Sequence, residues 1–115
     1  MDITFLYWEE CMSHEEALRR LRQVMAEEGI LVPVKMVQVE TWAQAEQLQF
    51  IGSPTIVVNG KDIQPPPPGA SAALTCRAYY LEDGRVSPLP SIELIRRALS
   101  AGHTDATAIV TEPHE

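Results

Sequence analysis

The residues of this chain that are best suited to chemistry are two cysteines, a histidine and a serine-proline pair. Cys11 begins the segment Cys11-Met12-Ser13-His14, which follows an apolar run of strand length. Cys76 lies much later, and Ser53-Pro54 leads into another strand-length apolar run. A thiolate is the nucleophilic form of cysteine, and a nearby histidine can stabilise it or move its proton. The pattern therefore indicates thiol chemistry.

Opposing influences act on the Cys11 thiol. The predicted start of a helix places backbone N–H groups and the positive end of the helix dipole nearby, which favours the thiolate. Glu9 and Glu10 precede the cysteine, and their negative charge disfavours the thiolate. The sequence leaves this balance open. It also leaves open a purely structural role, in which Cys11 packs as a small apolar residue and His14 is an exposed residue of the first helical turn.

Size and charge limit the classes of function. A chain of 115 residues can form one domain with its own core and is too short for two. Sixteen acidic and nine basic residues give a net charge of −7, which disfavours binding to nucleic acid. The apolar runs are too short to span a membrane, and residues 1–8 lack the basic start of a secretory leader. We therefore expect a cytoplasmic protein with no nucleic-acid or membrane partner.

The spacing of apolar residues predicts an alternation of strands and helices in the first half of the chain. Strand, helix, strand, helix is the start of an α/β fold, and two strands joined by a helix are normally parallel. The predicted elements are a strand at Ile3–Trp8, a helix from Ser13 to Gly29, a strand at Val32–Val39 and a helix from Thr41.

Capping patterns mark the starts of these two helices. Ser13 with Glu16, and Thr41 with Gln44, each have the spacing of a capping box. The apolar face of the second helix is predicted to consist of Trp42, Ala45, Leu48 and Ile51.

In the second half of the chain, turn residues separate short strands. Thr55–Val58 is predicted to pair antiparallel with Lys61–Ile63 across the Asn59-Gly60 turn. Residues 64–74 hold four consecutive prolines and are predicted to form a rigid loop inserted in a domain of residues 1–102. The remaining predictions are a hairpin of Thr75–Leu81 with Arg85–Leu89, a helix from Ser91 that stops at Gly102, and a loose tail at 103–115.

This order of elements, with Cys11 after the first strand and Ser53-Pro54-Thr55 before the third, resembles the thioredoxin superfamily. The segment from Ser53 to Lys61 is most similar to the glutaredoxin branch, in which a cis proline precedes a strand that ends in an Asn-Gly-Lys turn. The layout also resembles small bacterial thioredoxin-like proteins of unassigned activity. One departure is clear, because His14 stands where the family usually has the second cysteine of Cys-x-x-Cys.

The resemblance implies a thioredoxin-like α/β fold, with a mixed four- or five-stranded sheet and helices on both faces. It also implies that Cys11 is the nucleophile and that the cis Pro54 faces it. The backbone of Ser53 would then be free to pair with an extended thiol substrate, and His14 would tune the protonation of Cys11.

Two interpretations of Cys76 remain open. Tracing the strands brings its segment back to the edge of the sheet where Cys11 lies, so that Cys76 could resolve a mixed disulfide formed on Cys11. Alternatively, Cys76 is a buried and inert residue of an alternating strand, with Cys76, Ala78 and Tyr80 on one face.

These inferences predict a thiol–disulfide oxidoreductase or thiol-transfer protein that requires no bound cofactor, with glutathione as a potential co-substrate. Two alternatives belong to other classes. Cys11, His14 and Cys76 could bind a soft metal or an organomercurial, although no ordinary metal-site pattern is present. The chain could also be a non-catalytic interaction module that uses its proline loop. The oligomeric state is not predicted.

Overall fold

The apolar run Ile3–Tyr7 forms β1, an inner strand of a four-stranded mixed sheet. The structure is a computed structural model that describes the backbone of residues 1–111 and the side chains of residues 1–102. Strand β1 pairs in parallel with β2 (Val34–Gln38) and antiparallel with β3 (Thr55–Val58). Strand β4 (Lys61–Asp62) pairs antiparallel with β3, so the order is β2-β1-β3-β4. The predicted α/β class and these strand directions are confirmed.

The other elements of the described chain are helices and a short hairpin. No helix among the described residues is long and apolar enough to cross a membrane. The elements are α1 (Ser13–Glu27), α2 (Trp42–Leu48), β5 (Tyr79–Tyr80), β6 (Val86–Ser87) and α3 (Ile92–Thr111).

Side chains on the two faces of the sheet belong to separate apolar clusters. Phe5 and Leu6 are neighbours on β1 and therefore point to opposite faces. Phe5 packs in the larger cluster, which contains residues of α1 and α3. Leu6 packs in the smaller cluster, with Ala45 of α2 and Phe50 just beyond that helix. The sheet thus has helices on both faces.

The starts of the first two helices differ in how they are capped. At α2, the Gln44 N–H donates to Thr41 Oγ1 over 3.1 Å and the Thr41 N–H donates to Gln44 Oε1 over 3.1 Å. This confirms the second capping box. The first is wrong, because Met12 occupies the N-cap in a helical conformation and no side chain caps α1. Ser13 is therefore already inside the helix.

The predicted apolar face of α2 is largely wrong. Trp42 is 58% exposed and Leu48 is also exposed, whereas Ala45 is buried. The helix is only seven residues long, and Gln49 ends it in the left-handed region with a φ of +54°. This change of direction turns Phe50 inward, so Phe50 supplies the apolar contact expected from Leu48.

The predicted hairpin exists in a shorter form. Tyr79 and Tyr80 pair with Ser87 and Val86 as a separate two-stranded sheet. The residues before Tyr79 do not extend it, because their backbone groups bond elsewhere. Cys76 forms an isolated parallel bridge with Ser53 instead.

The prediction that the last helix stops at Gly102 is wrong, since α3 continues to Thr111. Gly102 is required for close packing and not for a turn. A Cβ at this position would lie 2.8 Å from Val58 Cγ1 and 3.1 Å from Asn59 Nδ2. Asn59 Nδ2 also donates to the Gly102 carbonyl over 3.3 Å. The predicted tail at 103–115 is therefore helical up to Thr111, and residues 112–115 lie outside the described residues.

We expect Gly102→Ala to lower the free energy of unfolding, measured by urea denaturation. Replacing glycine with alanine inside a helix normally gains about 1 kcal/mol. Here the added methyl group meets a branched core side chain, and overpacking costs about 1–3 kcal/mol. Ser100→Ala, at an exposed position of the same helix, is the control and should be neutral or stabilising. A Gly102→Ala protein more stable than the wild type would contradict the close packing.

Candidate thiol site

Ser53 is the residue around which the candidate site is built. It is fully buried, and the peptide bond that joins it to Pro54 is cis. Its Oγ accepts a hydrogen bond from the Trp8 N–H over 2.9 Å. Its own N–H donates to the Thr75 carbonyl over 2.8 Å, and its carbonyl accepts from the Arg77 N–H over 2.8 Å. Ser53 therefore joins the end of β1 to the segment 75–77.

Cys11 lies against the same serine. Its N–H donates to the Trp8 carbonyl over 3.0 Å, which turns the chain after β1. Its Sγ donates to the Ser53 carbonyl over 3.5 Å. Cys11 is only 2% exposed, so solvent has almost no access to this sulfur.

The structure brings Cys76 beside Cys11. Both are free thiols, and Cys76 is exposed where Cys11 is buried. The adjacent Cys11 side chain, through a hydrogen bond, raises the pKa of Cys76 to about 11, with burial and the charge of Cys11 as lesser causes. The interpretation of Cys76 as a buried residue is wrong, because the buried face of its segment carries other side chains.

His14 contacts the backbone of Cys11. Its Nδ1 lies 2.7 Å from the Cys11 carbonyl oxygen, and since a carbonyl only accepts, Nδ1 must carry the proton. The imidazole also stacks on Tyr7, with ring centroids 5.0 Å apart. This arrangement follows from the start of α1 at Ser13, which places His14 in the first turn. That His14 tunes the thiol of Cys11 stays a prediction.

The expectation that the Ser53 backbone is free for a substrate is wrong. Both of its backbone hydrogen-bonding groups are already paired with the segment 75–77. The chain's own residues therefore occupy the edge at which an extended substrate was expected to bind. Pro54 follows in the expected cis conformation, and its carbonyl is occupied as well, because it accepts from the Tyr79 hydroxyl over 2.6 Å.

Arg77 anchors the segment 75–77 to the sheet. It is 4% exposed, and its guanidinium lies 3.1 Å from an Asp62 carboxylate oxygen in a buried ion pair. The same group donates to Thr55 Oγ1 over 3.1 Å and to the Gln64 carbonyl over 2.6 Å. It also lies over the Tyr79 ring, 4.8 Å from the centroid. These contacts fix the segment to β3 and β4.

No sequence motif pointed to Arg77, Asp62 or Tyr79 as part of this region. A signal was present, because alternation places Arg77 and Tyr79 on the face opposite Cys76. The structure buries that face and exposes the other. A buried arginine requires an acidic or polar partner, and Asp62 is the nearby carboxylate. Burial also raises the pKa of the Tyr79 hydroxyl above its usual range.

Gly52 allows the segment to approach. A Cβ at this position would lie 2.8 Å from Arg77 Cα and 3.1 Å from the Cys76 carbonyl oxygen. Both neighbours are backbone atoms that could not move aside without breaking the bridge to Ser53. The glycine is thus needed for close backbone contact, and it sets the distance between the two parts of the site.

The described residues contain no group of three histidine, cysteine, aspartate or glutamate side chains that could hold a metal ion. The set predicted for soft-metal binding, Cys11, His14 and Cys76, is therefore not assembled as a ligand cluster. Comparison of the chain with protein-family models, with curated proteins and with solved structures finds no match. The thioredoxin-like resemblance accordingly stays a prediction based on the motifs.

We expect Arg77→Met to lower the free energy of unfolding by about 1–3 kcal/mol, because it leaves the partly buried Asp62 carboxylate without its charged partner. The measurement is urea denaturation. Arg85→Met is the matched control, since the Arg85–Asp83 pair is exposed and such pairs contribute at most about 1 kcal/mol. Similar losses in the two variants would contradict the anchoring role of Arg77.

The reactivity of Cys76 should depend on pH and on Cys11. Only the thiolate is alkylated, so a pKa near 11 leaves about a hundredfold less reactive Cys76 at pH 8 than the ordinary value of 9.0 would. The rate of Cys76 labelling should rise with pH, with a midpoint at about pH 11. Cys11→Ala removes the largest cause of the raised pKa, and Cys76 should then react faster at pH 8. Iodoacetamide labelling followed by peptide mass spectrometry measures both.

A wild-type midpoint at or below pH 9 would contradict the interaction between the two thiols. The same conclusion would follow if the Cys11→Ala protein, still folded by circular dichroism, labelled at the wild-type rate.

Proposed function

We propose that this protein is a thiol–disulfide oxidoreductase of thioredoxin-like fold, in which Cys11 and Cys76 alternate between dithiol and disulfide. The observation that carries the proposal is that Cys11 and Cys76, although far apart in sequence, are both held at Ser53, Cys11 by its sulfur and Cys76 by its backbone. A structural pair of packed cysteines would not require one of them to be exposed.

Ser53 supports the proposal because it fixes the two cysteines independently. Its carbonyl accepts from Cys11 Sγ, and the same residue is bridged to the backbone at Cys76. A disulfide needs Cα atoms within about 7 Å and suitable side-chain directions. Two cysteines held at the same buried residue lie close together, which favours this proximity.

The arrangement of the fold also supports the proposal. Cys11 follows the inner strand β1 and precedes α1, and the cis Ser53-Pro54 bond lies against it. These are the positions that the resemblance implies. His14 replaces the second cysteine of the usual motif, and Cys76, from a distant segment, supplies the second thiol in its stead.

The reaction requires only sulfur chemistry. With a disulfide substrate RSSR, the S–S bond of the substrate breaks, a bond forms between Cys11 Sγ and Cys76 Sγ, and two thiols RSH are released. The protein loses two electrons and two protons, and the substrate gains them. The reverse reaction oxidises two thiols at the expense of the protein disulfide, and glutathione is a suitable thiol of this class.

Oxidation of the purified protein should produce one intramolecular disulfide between Cys11 and Cys76. Mass spectrometry should show the loss of two hydrogens, and exchange with glutathione should restore them. Cys11→Ser and Cys76→Ser should each abolish this cycle. Met12→Ala changes an exposed neighbour of Cys11 and should leave it unchanged. A wild-type protein that forms no such disulfide, or serine variants that cycle normally, would refute the proposal.

A further inference from the structure

We infer that the external thiol substrate meets this site at the sulfur of Cys76, while Cys11 acts as the buried partner that never contacts the substrate. This inference rests on the proposed function, and it reverses the roles that the motif alone predicts for the two cysteines.

Access to the two sulfurs differs strongly. Thiol–disulfide exchange begins when a thiolate approaches one sulfur of a disulfide from outside. Cys11 is 2% exposed, whereas Cys76 is exposed. An external thiolate can therefore reach Cys76 directly, and it could reach Cys11 only if the residues packed around Cys11 moved.

The segment 75–77, which contains Cys76, is firmly held. It is attached to Ser53 by two backbone hydrogen bonds and to Asp62 by the buried guanidinium of Arg77. Just beyond it, the buried Tyr79 hydroxyl donates to the Pro54 carbonyl. Moving this segment away from Ser53 would break several of these bonds together and leave buried polar groups unpaired, each at a cost of about 1–3 kcal/mol.

The same bonds determine how a substrate is recognised. The Ser53 N–H and carbonyl are both occupied, so a peptide cannot add to this edge as a further strand. A substrate must instead be recognised through its thiol and the surface around Cys76. This favours small thiols, such as glutathione, that can bind without adding a strand to the sheet.

The exchange then proceeds in two balanced steps. A substrate thiolate RS⁻ attacks Cys76 Sγ of the protein disulfide, forming RS–S(Cys76) and releasing Cys11 as a thiolate. A second RS⁻ attacks the substrate sulfur of this mixed disulfide, forming RSSR and releasing the Cys76 thiolate. Both protein thiolates take up protons, so two RSH are oxidised and the protein gains two electrons and two protons.

Cys11 is a nucleophile in the opposite direction only. A substrate disulfide RSSR is first attacked by the Cys76 thiolate, which forms RS–S(Cys76) and releases RS⁻. Cys11 then attacks Cys76 Sγ, forms the protein disulfide and releases the second RS⁻. The raised pKa of Cys76 slows this first step at neutral pH.

Mapping the mixed disulfide tests the inference. The oxidised wild-type protein is mixed with less than one equivalent of reduced glutathione and quenched with acid, and its peptides are analysed by mass spectrometry. We expect at least tenfold more glutathione on Cys76 than on Cys11. Equal labelling, or more on Cys11, would overturn the inference and leave the proposed function intact. If no Cys11–Cys76 disulfide forms, both fail.

The single-cysteine variants provide a second measurement. With oxidised glutathione at pH 9, we expect Cys11→Ser, which retains Cys76, to be glutathionylated at least tenfold faster than Cys76→Ser, which retains Cys11. In urea both cysteines are exposed and the rates should become similar. If Cys11 in the folded protein reacts as fast as Cys76, the inference is wrong. Cys11→Ala and Cys76→Ala replace the serine variants if those do not fold.

Discussion

The site depends on one constraint, which is that every hydrogen-bonding group of Ser53 has a partner. This residue is buried, and an unpaired polar group at such a position costs free energy comparable to a lost hydrogen bond. Its Oγ is paired with Trp8, and its N–H and carbonyl are paired with the segment 75–77. Because no group is left over, the end of β1, the cis peptide bond and the segment 75–77 can be satisfied only in one mutual arrangement.

A second constraint acts from the other side of the segment. Arg77 and Tyr79 point inward, towards Asp62 and the Pro54 carbonyl, and alternation then directs Cys76 outward. The exposure of Cys76 is therefore a consequence of burying its neighbours. In the proposed function, the thiol that the motif would place in the first turn of α1 comes instead from this distant segment, which is bridged to the same serine that accepts a hydrogen bond from Cys11.

The sequence predicted the features that depend on local patterns. The limits of β3, the capping box at Thr41 and the strand directions followed from apolar spacing and turn residues. The sheet edge at which Cys76 lies could be traced correctly, because the length of each connection indicates whether the strands it joins run parallel or antiparallel. Long-range packing could not be predicted in this way. Gly102 has the local character of a helix stop, but its contact with Val58 decides its role. The partners of Arg77 are likewise distant in sequence, and alternation alone does not name them.

The way in which the segment is anchored has a consequence for the proline loop before it. Pro65–Pro68 are exposed, and the loop is held on either side of these prolines, where the Gln64 carbonyl accepts from Arg77 and the Ala73 N–H donates to the Phe50 carbonyl. Loop closure entropy changes slowly with length, by about 0.6 kcal/mol for each doubling. Insertions or deletions among these prolines should therefore leave the position of Cys76 unchanged. The loop is the part of the site that evolution or a designer can lengthen, shorten or decorate while the thiol pair keeps its geometry.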